Sequence, residues 1–307
     1  MPDVPPEHPS VTSQRRRRTP EPLNEYPAMI QTPVFFISHG APTFALEPGK
    51  LGANLNALGK ELSGVRAVLV VSPHWQTQGL RVMANKSPAT LHDFGGFPRE
   101  LYDFQYPAPG HPSFAAEAGQ LLVEAGFKVS LDDKRGLDHG AWVPLRHLLP
   151  AADVPVFQVS MPHALDAAGA VRLGRALSPL RERGVLIVGS GTMTHNLYEV
   201  GQSDTRAADY VREFASWVRQ AVFSRDVAKL ADYRQSAPHA ERAHPTEEHF
   251  LPLLVAMGAI GASGGAPAAQ AIEGETTYGV LSMESYVWGM GDRSAARETL
   301  PQNAYPA

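Results

Sequence analysis

Three apolar runs in this 307-residue chain lead into small residues and then a histidine. The runs are VFFISHG, AVLVVSPHW and VLIVGSGTMTHN, and their histidines are His39, His74 and His195. A fourth segment, HPTEEHF, contains His244 and His249. Imidazole is a common ligand of zinc, iron, copper and nickel. Histidines that recur in one local context are therefore candidates for a metal site.

Each of the three runs is rich in Val, Ile and Leu, which is typical of a strand buried on both faces of a parallel sheet. In open α/β sheets, ligands bind just beyond the carboxyl ends of the strands. The pattern therefore predicts that several imidazoles meet at one edge of a sheet and bind a single metal ion. Because the chain contains no cysteine, any metal ligands must be histidine or carboxylate side chains.

The HPTEEHF segment is predicted to begin a helix. Pro245 suits the first helical turn, and Glu247 and Glu248 suit the positive end of the helix dipole. His249 would then lie one turn inside the helix, where it could face the sheet edge. His244 precedes the turn, so we expect it to cap the helix or support the site from behind the ligands.

Strands and helices alternate along the chain, which predicts a single α/β domain with a central mixed, largely parallel sheet flanked by helices. The predicted strands cover 34–37, 67–72, 81–84, 127–131, 154–160, 185–189, 276–278 and 280–284. The predicted helices cover 51–62, 112–125, 165–183, 207–224 and 250–257, with a loop entering a helix over 137–149. Two long loops are expected, an aromatic one over 92–110 and a Gly/Ala-rich one over 258–270.

The composition argues against several function classes. A net charge of −4 gives no general attraction to nucleic acid or acidic membranes, so neither is an expected partner. No apolar run approaches the roughly 18–20 residues that a membrane span needs. The motifs GxGxxG, GK[ST], GxSxG and HExxH are absent, which argues against a phosphate loop, an α/β-hydrolase and a zincin protease. No apolar segment follows the RRRR run, so no secretory signal is expected and we predict a cytoplasmic protein.

Both ends of the chain differ from its body. Residues 1–28 are rich in Pro, Glu and Arg and contain almost no aliphatic side chains. Such a segment cannot bury enough apolar surface to offset its ordering entropy, which predicts a disordered tail. Residues 291–307 are predicted to form a mobile second tail, so the folded domain is expected over 29–290.

Taken together, the motifs resemble one known family, the class III extradiol ring-cleavage dioxygenases, and within it the DOPA 4,5-dioxygenase branch. The segments FISHGAPTFAL, SPHW, HDFGGFP, LDHGAWVPL, PVFQVS, GSGTMTHNL and HPTEEHFLPLLVAMGA occur in this order. The resemblance extends over roughly 32–288, nearly the whole chain without its tails. It implies a single α/β domain and a non-haem enzyme that opens catechols with O₂ to a muconate semialdehyde.

The resemblance also implies a set of functional residues. The metal, Fe(II) in the active form with Zn(II) as an alternative in purified protein, would be bound by His39, His74 and His249. His195 would be the acid–base group and could serve as a fourth metal contact. His139 would line the substrate site and share in catalysis. The loop at 92–110 resembles a substrate lid, with the two substrate-binding residues His92 and Phe97.

The third metal ligand differs from that of the wider class. Class III enzymes generally use two histidines and one glutamate, whereas the DOPA-type branch has a third histidine, which His249 fits. Glu248 is adjacent, so both side chains are candidates. Three neutral histidines leave a charge of +2 on Fe(II), which a doubly deprotonated catecholate would neutralise.

Two other functions are compatible with the same histidines. One is a zinc-dependent hydrolase or amidase that activates a metal-bound water. The other is a non-catalytic metal-binding protein that recruits a partner. Neither would consume O₂ with a catechol, which distinguishes both from the dioxygenase.

Overall fold

The computed structural model describes residues 31–201, 207–261 and 267–290, all of which belong to one compact unit that starts at Gln31. The predicted tails at 1–28 and 291–307 lie outside the described residues. The described part is an α/β domain with a central mixed sheet between helices, which confirms the predicted fold class.

Eight strands form the central sheet, in the order β4-β3-β5-β2-β6-β1-β10-β7, and β8 and β9 form a separate small sheet. The strands are β1 Val34–Ser38, β2 Ala67–Thr77, β3 Leu80–Met83, β4 Val129–Asp132, β5 Val156–Pro162, β6 Val185–Gly191, β7 Ala269–Ile272, β8 Thr276–Thr277, β9 Leu281–Ser282 and β10 Ser285–Trp288. The pairs β5–β2, β2–β6, β6–β1 and β3–β4 are parallel, and the remaining pairs of the large sheet are antiparallel.

The helices follow the strands along the chain. They are α1 Gly49–Glu61, α2 Glu100–Asp103, α3 Pro112–Glu124, α4 His139–Leu148, α5 Ala167–Leu177, α6 Asp209–Phe223, α7 Val227–Ala231, α8 Tyr233–Ser236, α9 Ala240–Ala243 and α10 Leu251–Ala259. Short 3-10 helices lie at Pro42–Ala45, Ser178–Arg183 and Leu197–Glu199. Across the described ranges, no helix combines the length and the apolar character that crossing a membrane requires.

Helices cover both faces of the sheet at β6, as neighbouring residues of that strand show. A Cβ atom on Gly189 would lie only 2.1 Å from the carbonyl oxygen of Pro252, so this face of β6 packs directly on α10. The next residue, Ser190, points the other way and donates a hydrogen bond to the carbonyl oxygen of Gly140 in α4. Because successive side chains of a strand point to opposite faces, α4 and α10 lie on opposite sides of the sheet.

The central strands are buried throughout, as their aliphatic composition predicts. All five residues of β1 and all seven of β6 are buried, and so are the first seven of β2. The strand β2 continues past its predicted end, through His74 to Thr77, and its pairing with β5 shifts register between Val71 and Gln76. This irregularity leaves His74 within the strand but beyond its evenly paired part.

The predicted helix start at Pro245 is wrong. The segment before Leu251 forms bends and turns, and Pro252 occupies the first turn of α10 instead. Glu247 does not stabilise the positive end of the helix dipole. Its carboxylate instead accepts a hydrogen bond from the hydroxyl of Tyr233 in α8. Tertiary contacts therefore outweigh the local helix-start signal of this segment.

Six regular elements were missing from the sequence prediction or misplaced in it, namely α2, α7, α8, α9, β7 and β10. The helices α7, α8 and α9 have only four or five residues each, too few to produce a hydrophobic period. The strand β7 begins inside the predicted Gly/Ala-rich loop and pairs only with β10. Its residues, AQAI, have little β propensity, so its strand conformation depends on that pairing. The middle of the same loop, 262–266, lies outside the described residues.

We expect Gly189→Ala to destabilise the protein by about 3 kcal/mol, the upper end of the usual cost of overpacking. The added methyl group would meet the main chain of Pro252, which cannot turn aside as a side chain can. Urea unfolding of the variant and the wild type measures the loss. Gly201→Ala is the matched control, since its Cβ atom would meet nothing within 4 Å. Equal stability of the two variants would contradict the close contact between β6 and α10.

Candidate active site

Five imidazoles meet at one edge of the central sheet. The ring centroids of His39 and His74 are 5.0 Å apart, and those of His39 and His249 are 5.5 Å apart. His74 and His249 are separated by 5.1 Å, and His74 and His139 by 3.8 Å. The rings of His195 and His249 stack at 3.5 Å with an interplanar angle of 9°. These five residues form the histidine cluster.

Strand order explains why three of these side chains meet. β2, β6 and β1 are adjacent and parallel, so their carboxyl ends lie at the same edge. His39 follows β1 directly, and its amide donates a hydrogen bond to the carbonyl oxygen of Gly191 at the end of β6. His195 lies four residues after β6, and its amide donates to the carbonyl oxygen of Ala243.

His39 and His74 point ring nitrogens at each other. Their Nε2 atoms are 3.0 Å apart, and Nδ1 of His39 lies 2.9 Å from the hydroxyl oxygen of Ser190. Two nitrogens bound at ~2.1 Å to one ion, at right angles, would be separated by about 3.0 Å. The approach of these two nitrogens therefore fits a shared metal ion.

His249 is oriented by its neighbour in sequence. Its Nδ1 lies 3.2 Å from Oε1 of Glu248, which also accepts a hydrogen bond from the hydroxyl of Thr246. A carboxylate can only accept here, so Nδ1 of His249 carries the proton and Nε2 has a free lone pair. Carboxylates commonly orient metal-binding histidines in this way. The backbone at His249 lies close to β6. A Cβ atom on Gly191 would be only 2.3 Å from the carbonyl oxygen of His249.

A carboxylate network holds the start of α4, where His139 is the first helical residue. Asp138 caps the helix by accepting from the amide of Ala141, and its other oxygen accepts from the side chains of Arg135 and Gln158. Arg135 also donates to the carbonyl oxygen of His74 at 3.1 Å. The same network thus fixes the backbone of His139 and of His74.

Asp93 approaches His139 from the aromatic loop. Its Oδ1 accepts a hydrogen bond from the amide of His139 at 2.9 Å and lies 3.1 Å from that residue's Nδ1. The second approach does not have hydrogen-bond geometry, so the buried Nδ1 of His139 has an ionic contact but no hydrogen-bond partner. Burial alone would raise the pKa of Asp93, but the contacts with His139 outweigh it and lower that pKa to about 2.

Burial keeps four members of the cluster neutral. It is the largest cause that lowers the pKa of His39 and of His249 well below 6.5, and nearby imidazoles lower both further. Burial likewise lowers the pKa of His74 to about 4, and electrostatic repulsion from the neighbouring His139 adds to the effect. The pKa of His195 is also lowered to about 4 by burial, although Glu248 opposes the shift. Neutral imidazoles are the form that binds metal.

Two sets of side chains within the described ranges have the spacing of a metal site. One is His39, His74 and His139, and the other is His195, Glu248 and His249; within each, the candidate ligand atoms lie within 4.8 Å of one another. The predicted ligands His39 and His74 thus fall in one set and His249 in the other. The two sets adjoin, since the His249 ring lies about as near to His39 and His74 as these two lie to each other.

The aromatic loop touches the cluster through a residue other than the two predicted. The ring of Phe94 lies 5.6 Å from that of His139 and 5.6 Å from that of Phe97. His92 instead points into its own loop, where its Nε2 lies 3.0 Å from the carbonyl oxygen of Phe104. In this structure Asp93 and Phe94 make the loop's contacts with His139, and Phe97 packs behind Phe94.

His244 lies behind the cluster and is fully buried. Its Nε2 donates to the carbonyl oxygen of Met193 at 2.9 Å, and its Nδ1 has no partner. Burial is the main cause that lowers its pKa to about 3. His244 therefore connects the end of α9 to the loop that contains His195. It supports the cluster from behind, as the sequence predicts.

Sequence reasoning missed several residues that position the cluster. Asp138 carried a signal, since an Asp directly before a predicted helix is a favoured N-cap. The GSG segment of β6 matches no phosphate-loop pattern and has no other recognisable signal in the sequence. Gly189 and Gly191 in fact admit α10 and His249, and Ser190 reaches His39. No local signal in the sequence marks Asp93 as a partner of α4.

Comparisons with known proteins agree on the kind of enzyme. The family described as the catalytic LigB subunit of aromatic ring-opening dioxygenase matches residues 34–283. A 4,5-DOPA dioxygenase extradiol of Beta vulgaris is 41% identical over 256 residues, or 82% of this chain and 94% of that protein. Another 4,5-DOPA dioxygenase extradiol, from Escherichia coli (strain K12), is 38% identical over 236 residues, or 74% of this chain and 84% of that protein.

A solved structure has a similar fold. The crystal structure of an uncharacterized protein from Escherichia coli K12 superposes with a TM-score of 0.69 and 31% sequence identity. The match covers 84% of this chain and 100% of that one. The two proteins therefore share their fold over most of this chain.

We expect the buried His244 to make the metal-free protein less stable in acid. Its pKa is about 3 when folded and about 6.5 when unfolded, so between these values only the unfolded state binds the proton. Its contribution to stability is complete above pH 6.5 and is lost as the pH falls towards 3. His244→Gln should reduce the slope of unfolding free energy against pH by about 1.4 kcal/mol per pH unit.

Urea unfolding between pH 4 and 6.5, with a chelator present, measures this slope. His163→Gln, at an exposed position, controls for the substitution itself. An unchanged slope in His244→Gln would mean that His244 binds its proton equally well in the folded and the unfolded protein.

Proposed function

Since the chain belongs to the LigB family of extradiol ring-cleavage dioxygenases, we propose that it opens the ring of a catechol with O₂ and releases a muconate semialdehyde. The observation that supports this most directly is the convergence of neutral imidazoles at the sheet edge. Two similar proteins are named 4,5-DOPA dioxygenase extradiol, so we propose DOPA or a related catechol as substrate.

His39, His74 and His249 are the proposed metal ligands. The family implies a non-haem metal, and we propose Fe(II) for the active enzyme, with Zn(II) able to take the same place in purified protein. When bound, such an ion lowers the pKa of the catechol hydroxyls and holds the ring beside O₂. The His39–His74 approach supports two of the ligands. The hydrogen bond from His249 to Glu248 supports the third, because it leaves Nε2 of His249 unprotonated.

Proton transfer is assigned to His195. Its ring lies against that of His249, close to the proposed metal and outside the ligand set. Burial makes it a weak base in the free protein, but a negatively charged catecholate nearby would raise its pKa. His195 can then accept a proton from the substrate hydroxyl and return it to an oxygen that the ring-opened product retains.

Substrate binding is assigned to His139 and to the aromatic loop. His139 lies beside His74 at the start of α4, so its ring can contact a catechol bound at the cluster. His92 and Phe97 remain predicted substrate residues of the loop, and Phe94 joins them because its ring touches His139. Aromatic rings offer stacking surfaces to a planar substrate. The cytoplasmic location also stays a prediction from the sequence.

The two rival functions use the same ligands but different chemistry. A zinc hydrolase or amidase would need a metal-bound water and no O₂, and a recruiting protein would need no turnover. Similarity to named dioxygenases over most of the chain favours ring cleavage over both.

The proposed function is tested with an oxygen electrode and a panel of catechols. Protein loaded anaerobically with Fe(II) should consume one O₂ per catechol opened, with DOPA-like catechols among the best substrates. Zn(II)-loaded protein is the control and should consume none. Hydrolysis of esters or amides without O₂ uptake would favour the hydrolase, and no turnover with any substrate would favour the non-catalytic protein.

We expect alanine at His39, His74 or His249 to lower bound metal to below about a tenth of the wild-type content, because each removes a direct ligand. His139→Ala and Glu248→Gln should keep most of the metal. Elemental analysis after reconstitution measures the content, with His111→Ala, outside the cluster, as the control. If His249→Ala keeps its metal while His139→Ala or Glu248→Gln loses it, the third metal ligand is the residue whose substitution caused the loss.

Replacing His195 with Gln or Ala should lower kcat by about 10²–10⁴-fold, the usual contribution of a positioned acid–base group. Most of the metal should remain, because His195 is outside the proposed ligand set. Metal content and steady-state O₂ uptake are measured on the same preparation. Loss of metal along with activity would make His195 a required ligand, and unchanged uptake would remove it from the mechanism.

A further inference from the structure

We propose that Pro144 and Ser190 fix the tautomer of His39 and thereby act as positioning residues for the metal site. The inference rests on the proposed function, in which His39 is a metal ligand. A neutral imidazole has one N–H and one bare nitrogen, and which is which depends on the partner of each nitrogen. The partners of His39 can be traced back to a proline in α4.

Pro144 leaves a backbone oxygen in α4 without its usual partner. In an α-helix, the amide of residue 144 would donate to the carbonyl oxygen of Gly140. Proline has no amide hydrogen, and its ring pushes against the carbonyl four residues earlier. α4 contains this proline in its interior, so the Gly140 oxygen needs a donor from elsewhere.

Ser190 supplies that donor from the sheet. Its hydroxyl donates to the carbonyl oxygen of Gly140, and a hydroxyl has a single hydrogen to give. The contact between Ser190 Oγ and His39 Nδ1, at 2.9 Å, must then run the other way. His39 is the donor, so its proton is on Nδ1.

The result is a bare Nε2 on His39, and Nε2 is the atom that faces His74 at 3.0 Å. In the opposite tautomer an N–H would point into the proposed metal site and would have to be lost before binding. Ser190 is fully buried and His39 is 1% exposed, so water cannot readily replace either partner. Pro144, Gly140 and Ser190 thus form a hydrogen-bond relay that ends at the ligand atom.

The tautomer itself is the most direct test. In metal-free, ¹⁵N-histidine-labelled wild-type protein, the NMR signals of His39 should show protonated Nδ1 and unprotonated Nε2. Ser190→Ala should raise the Nε2–H population and weaken Zn(II) binding by about 10- to 100-fold, the usual effect of losing a hydrogen bond behind a metal ligand. Ser190→Thr keeps the hydroxyl and should restore both properties. Zn(II) affinity is measured by competition with a chelator.

Pro144→Ala tests the first step of the relay while Ser190 stays intact. The new amide hydrogen can donate to Gly140, which frees the Ser190 hydroxyl to donate to His39 Nδ1. We expect more Nε2–H tautomer and weaker Zn(II) binding. Ser160→Ala is the matched control, because it removes a buried strand hydroxyl whose partners are Thr77 and Arg81; neither property should change.

The outcomes separate this inference from the proposed function. Protonated Nε2 on His39 in the wild type, or wild-type Zn(II) affinity in Ser190→Ala, would overturn the relay even if the enzyme opens catechols. A purely packing role for Ser190 would leave the tautomer unchanged in Pro144→Ala, and that result would also overturn it. Failure of ring opening with the predicted tautomer present would overturn the proposed function alone.

Discussion

Shared desolvation of the histidine cluster is the constraint on which the rest of the site depends. Imidazoles that are withdrawn from water and placed beside one another cannot all be positively charged, because charging any of them would cost both desolvation and repulsion. The lowered pKa values of His39, His74, His195 and His249 express that cost. The same burial that would destabilise a charged cluster therefore supplies neutral nitrogen ligands at neutral pH.

The fold meets this constraint because the backbone of neighbouring segments packs closely against the backbone of β6. Glycine on one face of the strand admits α10 and the turn that bears His249, while Ser190 on the other face connects α4 to His39. Residues on opposite faces of β6 thus support histidines at the same edge of the sheet. The carboxylates near the cluster also hold the framework: Asp138 fixes α4, and Glu248 orients His249.

The sheet core and its histidine edge were predictable because they depend on local patterns. Long Val, Ile and Leu runs identify β1, β2 and β6, and parallel strands share an edge. The partners behind the histidines were not predictable, because they are distant in sequence. Asp93 and His139 are 46 residues apart, and Ser190 and His39 are 151 apart. The local signal at Pro245 failed for a related reason, since Glu247 binds α8 instead of starting a helix.

Anomalous diffraction at the iron edge, from crystals loaded anaerobically with Fe(II), is the most direct test of the central claim that one ion is bound by His39, His74 and His249. We expect a single peak within bonding distance of a ring nitrogen of each of these three, with His139 and His195 beyond bonding distance. A peak bonded to His39, His74 and His139 would contradict the assignment of His249. A peak between His195, Glu248 and His249 would contradict the shared role of His39 and His74.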